Sequence, residues 1–293
     1  MPLRAAPPIR RTVLVVLDGL RPDAITRFDL PTLQGLIPRA ARTLAGRTVS
    51  PSVTNAAMAS LLTGVRPAVH GLTCDRFRMP SRRDHLRPLP ALLAEAGHET
   101  RTWMARIPLP FTPLAVRLAG VLGILARFRG EDALEIVADA APTLREEAGL
   151  ILLHLPDADR AGHAEGWMGA AYRRAAERLD AALGEVIRHA GIWRDPGTLL
   201  VVVADHGGGG ATATDHDSPH RLDRTIPVLL AGDAVAPMAL LDPVSLLDVP
   251  ATIAWAMGAE VPSSWEGRVL IEGFVPEPTV AGPVPRVLSA RGA

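Results

Sequence analysis

The segment TVLVVLDG, residues 12–19, decides how this 293-residue sequence is interpreted. Six nearly all apolar residues, most of them β-branched, lead directly into Asp18 and Gly19. Such a run predicts a strand buried on both faces, and the polar pair predicts where the chain leaves the sheet. Similar runs predict further strands at residues 150–155, 198–204 and 226–230, and a weaker one at 98–104.

Amphipathic stretches separate these strands. Apolar residues recur at helical spacing in the segments 55–62, 90–96, 131–147, 167–189 and 245–257. Strands alternating with helices predict an α/β fold in which helices cover a parallel sheet. Another apolar window, residues 114–126, is interrupted by Arg117 and is shorter than the roughly 20 residues of a membrane span. We expect it to form a buried or interfacial helix.

Composition places the chain among ordinary globular proteins. It is 48% hydrophobic with a formal net charge of zero, which favours neither disorder nor a nucleic-acid partner. Because no linker-like segment interrupts it, we expect one domain over residues 1–293, with a core at about 12–275 and an extended tail at 276–293. Cys74 is the only cysteine, so no intrachain disulfide can form. Residues 1–11 lack a secretory apolar run, which predicts a cytoplasmic protein.

Polar residues follow three of the predicted strands at the point where each strand ends. Asp18 follows the first, the sequence PDAD at 156–159 follows the second, and Asp205 and His206 follow the third. In an open parallel sheet the ligand crevice lies beyond the carboxyl ends of the strands. We therefore expect these carboxylates and imidazoles to gather at one edge of the sheet.

Their spacing suits metal binding. Asp159 and His163 are four residues apart, so both can reach one ion if the segment is helical. Four glycines follow Asp205 and His206, and we expect them to let the backbone approach an ion or substrate closely. The sequence DHDSPH at 215–220 offers further ligands. Imidazole and carboxylate without thiolate suit zinc first, then manganese or iron.

A hydroxyl precedes one of the predicted helices. Thr54 lies where the sequence SPSVTN, residues 50–55, enters an apolar helix. A helix start favours a bound anion such as phosphate, because amide donors and the helix dipole converge there. Taken alone, Thr54 is more simply explained as a helix cap, because caps are far commoner than nucleophiles.

Five segments in this order resemble the type I phosphodiesterase and nucleotide pyrophosphatase branch of the alkaline phosphatase superfamily, over residues 13 to about 232. They are VLDGLRPD, PSVTNAAMASLLTG, DADRAGHAEG, ADHGG and TDHDSPHRLDRTIP. The resemblance implies a three-layer sandwich with a mainly parallel central sheet flanked by helices. It also implies two divalent metal ions, a small-molecule phosphoester substrate and Thr54 as a nucleophile that forms a phosphothreonine intermediate. One metal would be held by Asp18, Thr54, Asp205 and His206, and the other by Asp159, His163 and His216.

Two features of the resemblance leave alternatives open. His216 is chosen over His220 because of its distance from residues 225–227, which is similar to the spacing in the family. The family's pyrophosphatases have an asparagine three residues after the nucleophile, whereas this chain has Ala57 there and Asn55 beside Thr54. Asn55 would bind a phosphoryl oxygen, as in the similar phosphonoacetate hydrolases. Besides a diester or pyrophosphate, the substrate could therefore be a phosphonate or a phosphomonoester, and a metal-binding scaffold without turnover is the non-enzymatic alternative.

Several residues near these motifs receive other interpretations. Cys74, Arg76 and Arg78 are only faintly similar to the sulfatase pattern, since its proline is absent. His154, inside a predicted strand, is interpreted as a satisfied core histidine, and Asp157 as a residue behind the metal ligands. The segment 103–129 is the predicted insertion that sets substrate choice, and it favours an apolar group near the site. In that case a charged residue in place of Leu114 or Leu118 should change the kinetics.

Overall fold

The structure is a computed structural model, and it describes residues 9–74, 86–146 and 148–275. Its strands are β1 (Arg11–Leu17), β2 (Ala41–Arg47), β3 (Thr100–Met104), β4 (Ile124–Phe128), β5 (Gly149–Leu155), β6 (Thr198–Val203), β7 (Thr225–Ala231) and β8 (Met238–Ala239). Its α-helices are α1 (Pro22–Arg27), α2 (Pro31–Leu36), α3 (Thr54–Thr63), α4 (Pro67–His70), α5 (Leu89–Glu95), α6 (Thr112–Val121), α7 (Ala133–Glu146), α8 (Asp157–Glu165), α9 (Ala170–Ala190), α10 (Arg221–Arg224) and α11 (Asp248–Ala256). Short 3₁₀ turns occur at Ile37–Arg39, Leu109–Phe111 and Ile271–Gly273.

The strands form one eight-stranded sheet in the order β4-β3-β5-β1-β6-β7-β2-β8. Every neighbouring pair is parallel except the two that involve β7. Strands β1, β5 and β6 are buried along their whole length, as their continuous apolar runs predict. The predicted α/β class with a mainly parallel sheet is confirmed.

Helices cover the sheet in two groups. Helices α2, α7, α8 and α9 contact one another in one group, and α3, α4, α5 and α11 do so in the other. Helix α9 buries one apolar face that includes Leu179, Leu183 and Val186, as expected for a helix lying on a sheet. The flanked-sheet architecture implied by the resemblance is therefore present.

Strand β7 departs from the parallel arrangement that the sequence predicts. It pairs antiparallel with both β6 and β2. Residues 204–224 join β6 to β7 with only the short helix α10, so no crossover helix carries the chain back to the opposite edge. A parallel neighbour needs such a crossover, so β7 returns in the opposite direction.

The prediction of a buried or interfacial helix over residues 114–126 is wrong in its extent, and its buried alternative is wrong as well. Helix α6 ends at Val121, none of its residues is buried, and the chain continues into the edge strand β4. Gly123 ends the helix, because it adopts a left-handed φ of 76°. The predicted helix at 167–189 likewise begins later, at Ala170.

None of the helices in the described ranges combines the length and apolar character needed to cross a membrane. The predicted tail at 276–293 lies outside the described residues, as do Arg76 and Arg78. The single domain and the cytoplasmic location stay predictions.

Candidate metal centre

Three adjacent strands bring the predicted ligands to one edge of the sheet. Strands β5, β1 and β6 are neighbours, and Asp18, Asp159 and Asp205 all lie just beyond their carboxyl ends. The Asp18 amide donates to the Leu155 carbonyl at 3.0 Å, and the Asp159 amide donates to the Asp18 carbonyl at 3.0 Å. These backbone bonds fix the first turn of α8 against the end of β1. The polar groups therefore lie together at one edge of the sheet, as their positions after the strand ends predict.

The first cluster of side chains surrounds the Nε2 atom of His206. Thr54 Oγ1 lies 3.1 Å from this nitrogen, Asp18 Oδ1 lies 3.3 Å from it, and Asp205 Oδ2 lies 3.5 Å from it. Thr54 is the first residue of α3, so its hydroxyl reaches the cluster from a helix start. The three aspartate and histidine side chains are buried.

The second cluster adjoins the first. His163 Nε2 and His216 Nε2 lie 3.1 Å apart, and Asp159 Oδ1 lies 3.4 Å from the former and 3.7 Å from the latter. The His216 ring stacks on the His206 ring, with centroids 3.8 Å apart and planes inclined by 12°. The two clusters are therefore in contact through the imidazole rings of His206 and His216.

Backbone carbonyls determine which nitrogen of each histidine faces the clusters. The Nδ1 atoms of His163, His206 and His216 lie 2.9, 2.8 and 2.7 Å from the carbonyl oxygens of Thr214, Gly207 and Ser52. A carbonyl can only accept, so each Nδ1 carries the proton and each Nε2 presents a lone pair. Metal-binding histidines are commonly oriented in this way. Two lone pairs 3.1 Å apart in the second cluster repel each other unless a cation lies between them.

The spacing of the donor atoms is suited to a divalent metal ion. A tetrahedral zinc ion with ligands at about 2.0–2.1 Å separates those ligands by about 3.3–3.4 Å, and the distances within each cluster, 3.1 to 3.7 Å, bracket that separation. Asp159 Oδ1 is buried and accepts no hydrogen bond, which leaves it available to a cation. In addition, the donor atoms of Asp159, His206 and His216 lie within 4.8 Å of one another, and so do those of Asp18, His154 and Asp205.

Burial and neighbouring charges shift the ionisation of these groups. Burial raises the pKa of Asp159 above its ordinary value and lowers the pKa of His216 below it. Burial also acts to raise the pKa of Asp205, but the imidazoles of His206 and His154 outweigh it and bring that pKa below the ordinary value. Asp205 is therefore held in the ionised form, in which a carboxylate binds metals, and His216 is held in the neutral form, in which an imidazole binds them.

Gly19 allows the close approach of β1 to α8. Its φ is +68°, and a Cβ there would lie 2.9 Å from the Asp159 Cα. Its carbonyl accepts hydrogen bonds from Tyr172 Oη at 2.9 Å and from Trp167 Nε1 at 3.0 Å. Since a side chain would separate Asp18 from Asp159, this glycine is required by the geometry of the centre.

The four glycines after His206 have a different role from the predicted one. A Cβ on Gly207 would lie 1.9 Å from the Leu222 carbonyl oxygen, and a Cβ on Gly208 would lie 2.0 Å from Trp167 Cε2. The missing side chains therefore make room for the protein itself. The expectation that these glycines admit an ion or substrate is not supported at either position.

Other predicted residues take distinct positions. His220 is exposed and accepts the Leu222 amide at the start of α10, whereas His216 lies in the second cluster. Asn55 follows Thr54 in α3 with an exposed side chain, and its Nδ2 donates to the Cys74 carbonyl at 3.4 Å. Asp157 is buried, where it accepts the Ala133 amide and pairs with Arg178.

Sequence reasoning missed the position of His154. This histidine of β5 is buried, and its Nε2 lies 3.2 Å from Asp18 Oδ2, on the other oxygen from the one that faces His206. The available signal was a single imidazole in an otherwise apolar strand, one residue before its carboxyl end. The interpretation as an ordinary core histidine overlooked that this end faces the site.

A cavity of about 250 Å³ opens beside the centre. Asp18, His154 and Asp159 contribute to its polar side, and Arg106 and Arg160 add positive charge. Its apolar side is formed by Met104, Ala105, Ile107, Phe128 and Pro156. Four of these five come from the segment predicted to be an insertion, while Leu114 and Leu118 do not line the cavity.

Comparison with solved structures identifies the fold. A 2-O-GAG sulfatase matches with a TM-score of 0.71 at 13% identity, covering 90% of this chain and 73% of the other. A phosphonate monoester hydrolase from Silicibacter pomeroyi matches at 0.65 with 16% identity, covering 89% and 76%. Murine ectonucleotide pyrophosphatase/phosphodiesterase 5, in an inactive threonine-to-alanine form with AMP, matches at 0.65 with 13% identity, covering 86% and 96%. No curated protein gave a significant match.

The chain therefore has the fold of these solved structures, and it brings a candidate set of metal-binding residues to the carboxyl edge of its sheet. Residues 12–243 match the type I phosphodiesterase / nucleotide pyrophosphatase family, and the chain belongs to it. Members of this metal-dependent family hydrolyse phosphoester bonds, as the sequence motifs predict.

Proposed function

We propose that the chain hydrolyses phosphoric diesters or nucleotide pyrophosphates through a phosphothreonine intermediate on Thr54. The observation that carries the proposal is the 3.1 Å approach of Thr54 Oγ1 to His206 Nε2, within a cluster that also contains Asp18 and Asp205. A threonine that served only as a helix cap would have no reason to meet this set of ligands. The murine neighbour, inactive with its threonine replaced, supports the same role.

The residue roles follow from the two clusters. Asp18, Thr54, Asp205 and His206 would hold one divalent ion, and Asp159, His163 and His216 the other, with Zn²⁺ as our first choice and Mn²⁺ as the second. When bound, such ions lower the pKa of a coordinated hydroxyl and neutralise charge on phosphoryl and leaving oxygens. The second set has three protein ligands, as expected for a catalytic site that keeps one position open.

The position of Thr54 at the start of a helix supports its role as the attacking group. As the first residue of α3 it presents its hydroxyl beside the free amides of a helix start, which favour a phosphoryl oxygen. The Thr54 oxygen would displace the leaving group from phosphorus, and water would then release the product from Thr54. Asn55, beside Thr54 at this helix end, would donate to a non-bridging oxygen.

The first test compares three substrates: bis(p-nitrophenyl) phosphate, p-nitrophenyl phosphate and p-nitrophenyl thymidine monophosphate. Wild type, Thr54→Ala and the matched control Thr54→Ser are assayed with added zinc or manganese. We expect diester turnover in wild type, a loss of at least about 1,000-fold in Thr54→Ala, and partial activity in Thr54→Ser, which keeps a hydroxyl. Full activity in Thr54→Ala would rule out the phosphothreonine intermediate.

A phosphonate is the second candidate substrate. Ala57 replaces the asparagine of the pyrophosphatases, and Asn55 takes a position similar to the phosphonoacetate hydrolase pattern. Adding phosphonoacetate to the assay, with released inorganic phosphate as the readout, separates the candidates, because preferred hydrolysis of its C–P bond would move the enzyme to that class. Turnover of none of these substrates would favour the metal-binding scaffold.

We also propose that the leaving group is partly apolar. Ile107 and Phe128 line the cavity beside Asp18 and Asp159, so a hydrocarbon or aromatic group could be buried there. Because Leu114 does not line this cavity, Phe128→Ala is a sharper test than a change in α6. We expect it to raise KM for aromatic diesters several-fold more than for methyl esters, with Leu125→Ala, an exposed position of the same strand, as the control. Equal effects of both variants would contradict an apolar subsite.

A further inference from the structure

The buried histidine beside Asp18 is not used by either of the proposed ligand sets. His154 has only 6% of its surface exposed, and its Nε2 makes no well-aligned hydrogen bond. Yet Nε2 lies 3.2 Å from Asp18 Oδ2, a hydrogen-bonding distance. Buried polar atoms without partners are unfavourable, so a small rotation that completes this bond is favoured.

The two oxygens of Asp18 face different partners. Oδ1 lies 3.3 Å from His206 Nε2, inside the first cluster, and Oδ2 lies beside His154. His154 is held by β5, where it pairs in register with Val16 of β1, two residues before Asp18. Both side chains therefore sit on rigid neighbouring strands, which fixes their separation.

We infer that His154 is a positioning residue for the metal centre: its Nε2–H donates to Asp18 Oδ2 and holds Oδ1 toward His206. The inference rests on the proposed function, since it presumes an ion at Asp18, Asp205 and His206. Carboxylates that bind metals are oriented by such outer hydrogen bonds, and losing one weakens metal binding about 10- to 100-fold. The competing role is direct ligation, since donor atoms of Asp18, His154 and Asp205 lie within 4.8 Å of one another.

The donor role is favoured by the number of atoms around His206. Thr54, Asp18 and Asp205 already place three oxygens within 3.5 Å of His206 Nε2, which completes a four-ligand set. His154 lies beside the other oxygen of the Asp18 carboxylate, the one that does not face His206. Its imidazole is therefore placed to orient a ligand instead of adding a fifth.

The test measures zinc affinity by competition with a chromophoric chelator, and cobalt substitution by visible absorption, so it does not depend on turnover. The variants are His154→Leu, which removes the donor, and His154→Gln, whose amide nitrogen can take the place of Nε2. His98→Leu is the control, because His98 precedes β3 at the opposite edge and contacts the Met257 carbonyl. Circular dichroism checks that each variant is folded.

We expect His154→Leu to weaken one of two zinc equivalents about 10- to 100-fold, and His154→Gln to stay within about three-fold of wild type. If His154→Leu bound both zinc equivalents with the affinities of the wild type, the inference would be overturned. Equal weakening in His154→Gln would overturn it too, because the imidazole itself would then be the ligand. Turnover that persists in Thr54→Ala, together with the expected affinity changes, would overturn the proposed reaction and leave the role of His154 intact.

Discussion

At the residue scale, two imidazole nitrogens of the centre approach each other closely. His163 Nε2 and His216 Nε2 lie 3.1 Å apart, and each ring is fixed by an Nδ1 contact to a backbone carbonyl. Ser52 holds His216 from both sides, since its hydroxyl also donates to the His216 carbonyl at 2.6 Å. This arrangement prepares both lone pairs for one cation without further side-chain movement.

His216 and His220 provide a matched pair for testing the second cluster. We expect His216→Ala to lose one zinc equivalent and nearly all diester turnover, because it removes one of three ligands. His220→Ala should keep both, since His220 is exposed and serves a four-residue helix. Metal analysis after dialysis and steady-state kinetics provide the two readouts. Loss of metal in His220→Ala with full occupancy in His216→Ala would reverse the assignment.

At the scale of elements, the segment that connects β6 to β7 forms one side of the centre. The connection, residues 204–224, begins and ends at the same edge of the sheet because β7 runs antiparallel to β6. It carries Asp205 and His206 at its start and His216 in its middle. A crossover to a parallel strand would have taken the later part of this segment away from the site.

Close packing of this connection against Trp167 predicts unequal effects of two glycine replacements. Gly208→Ala should destabilise the protein by about 1–3 kcal/mol, because the new methyl would overlap the Trp167 ring. Gly120→Ala should be neutral or stabilising by about 0.4–1 kcal/mol, since nothing lies within 4 Å and the residue is helical. Denaturant unfolding measures both. Similar stabilities of the two variants would show that the loop yields easily to the added methyl.

At the scale of the whole molecule, the centre brings together side chains that are far apart in the sequence. The candidate ligands come from the ends of β1 and β6, from the start of α3, from α8 and from the β6–β7 connection. Buried carboxylates in such a place repel one another unless a cation offsets their charge. Metal binding should therefore stabilise the whole fold.

Removing the metals should lower the thermal stability as well as the activity. An ion present at 100 times its Kd adds about 2.7 kcal/mol to the free energy of unfolding. We expect a chelator to lower Tm by several degrees and zinc to restore it, as measured by calorimetry. His216→Ala, with one cluster disabled, should show a smaller difference between zinc and chelator. An unchanged wild-type Tm would contradict metal-linked stability.

The sequence by itself determined the central strands and the place of the candidate ligands along the chain. Runs such as residues 12–17 and 150–155 encode burial locally, so their strands could be predicted from composition alone. The predicted ligands follow directly from the ends of these strands or from ordered motifs. Helix α6 and the edge strand β4 were harder to predict, because an exposed apolar segment has no burial pattern that separates helix from strand.

Only the tertiary structure decided which side chains meet. His216 and His220 lie in one short loop, and the path of that loop brings His216, not His220, against His163. His154 looked like any buried core residue until the pairing of β5 with β1 placed it beside Asp18. Local periodicity specifies burial over a few residues, whereas these contacts join positions more than 50 residues apart, and their geometry depends on the whole packed sheet.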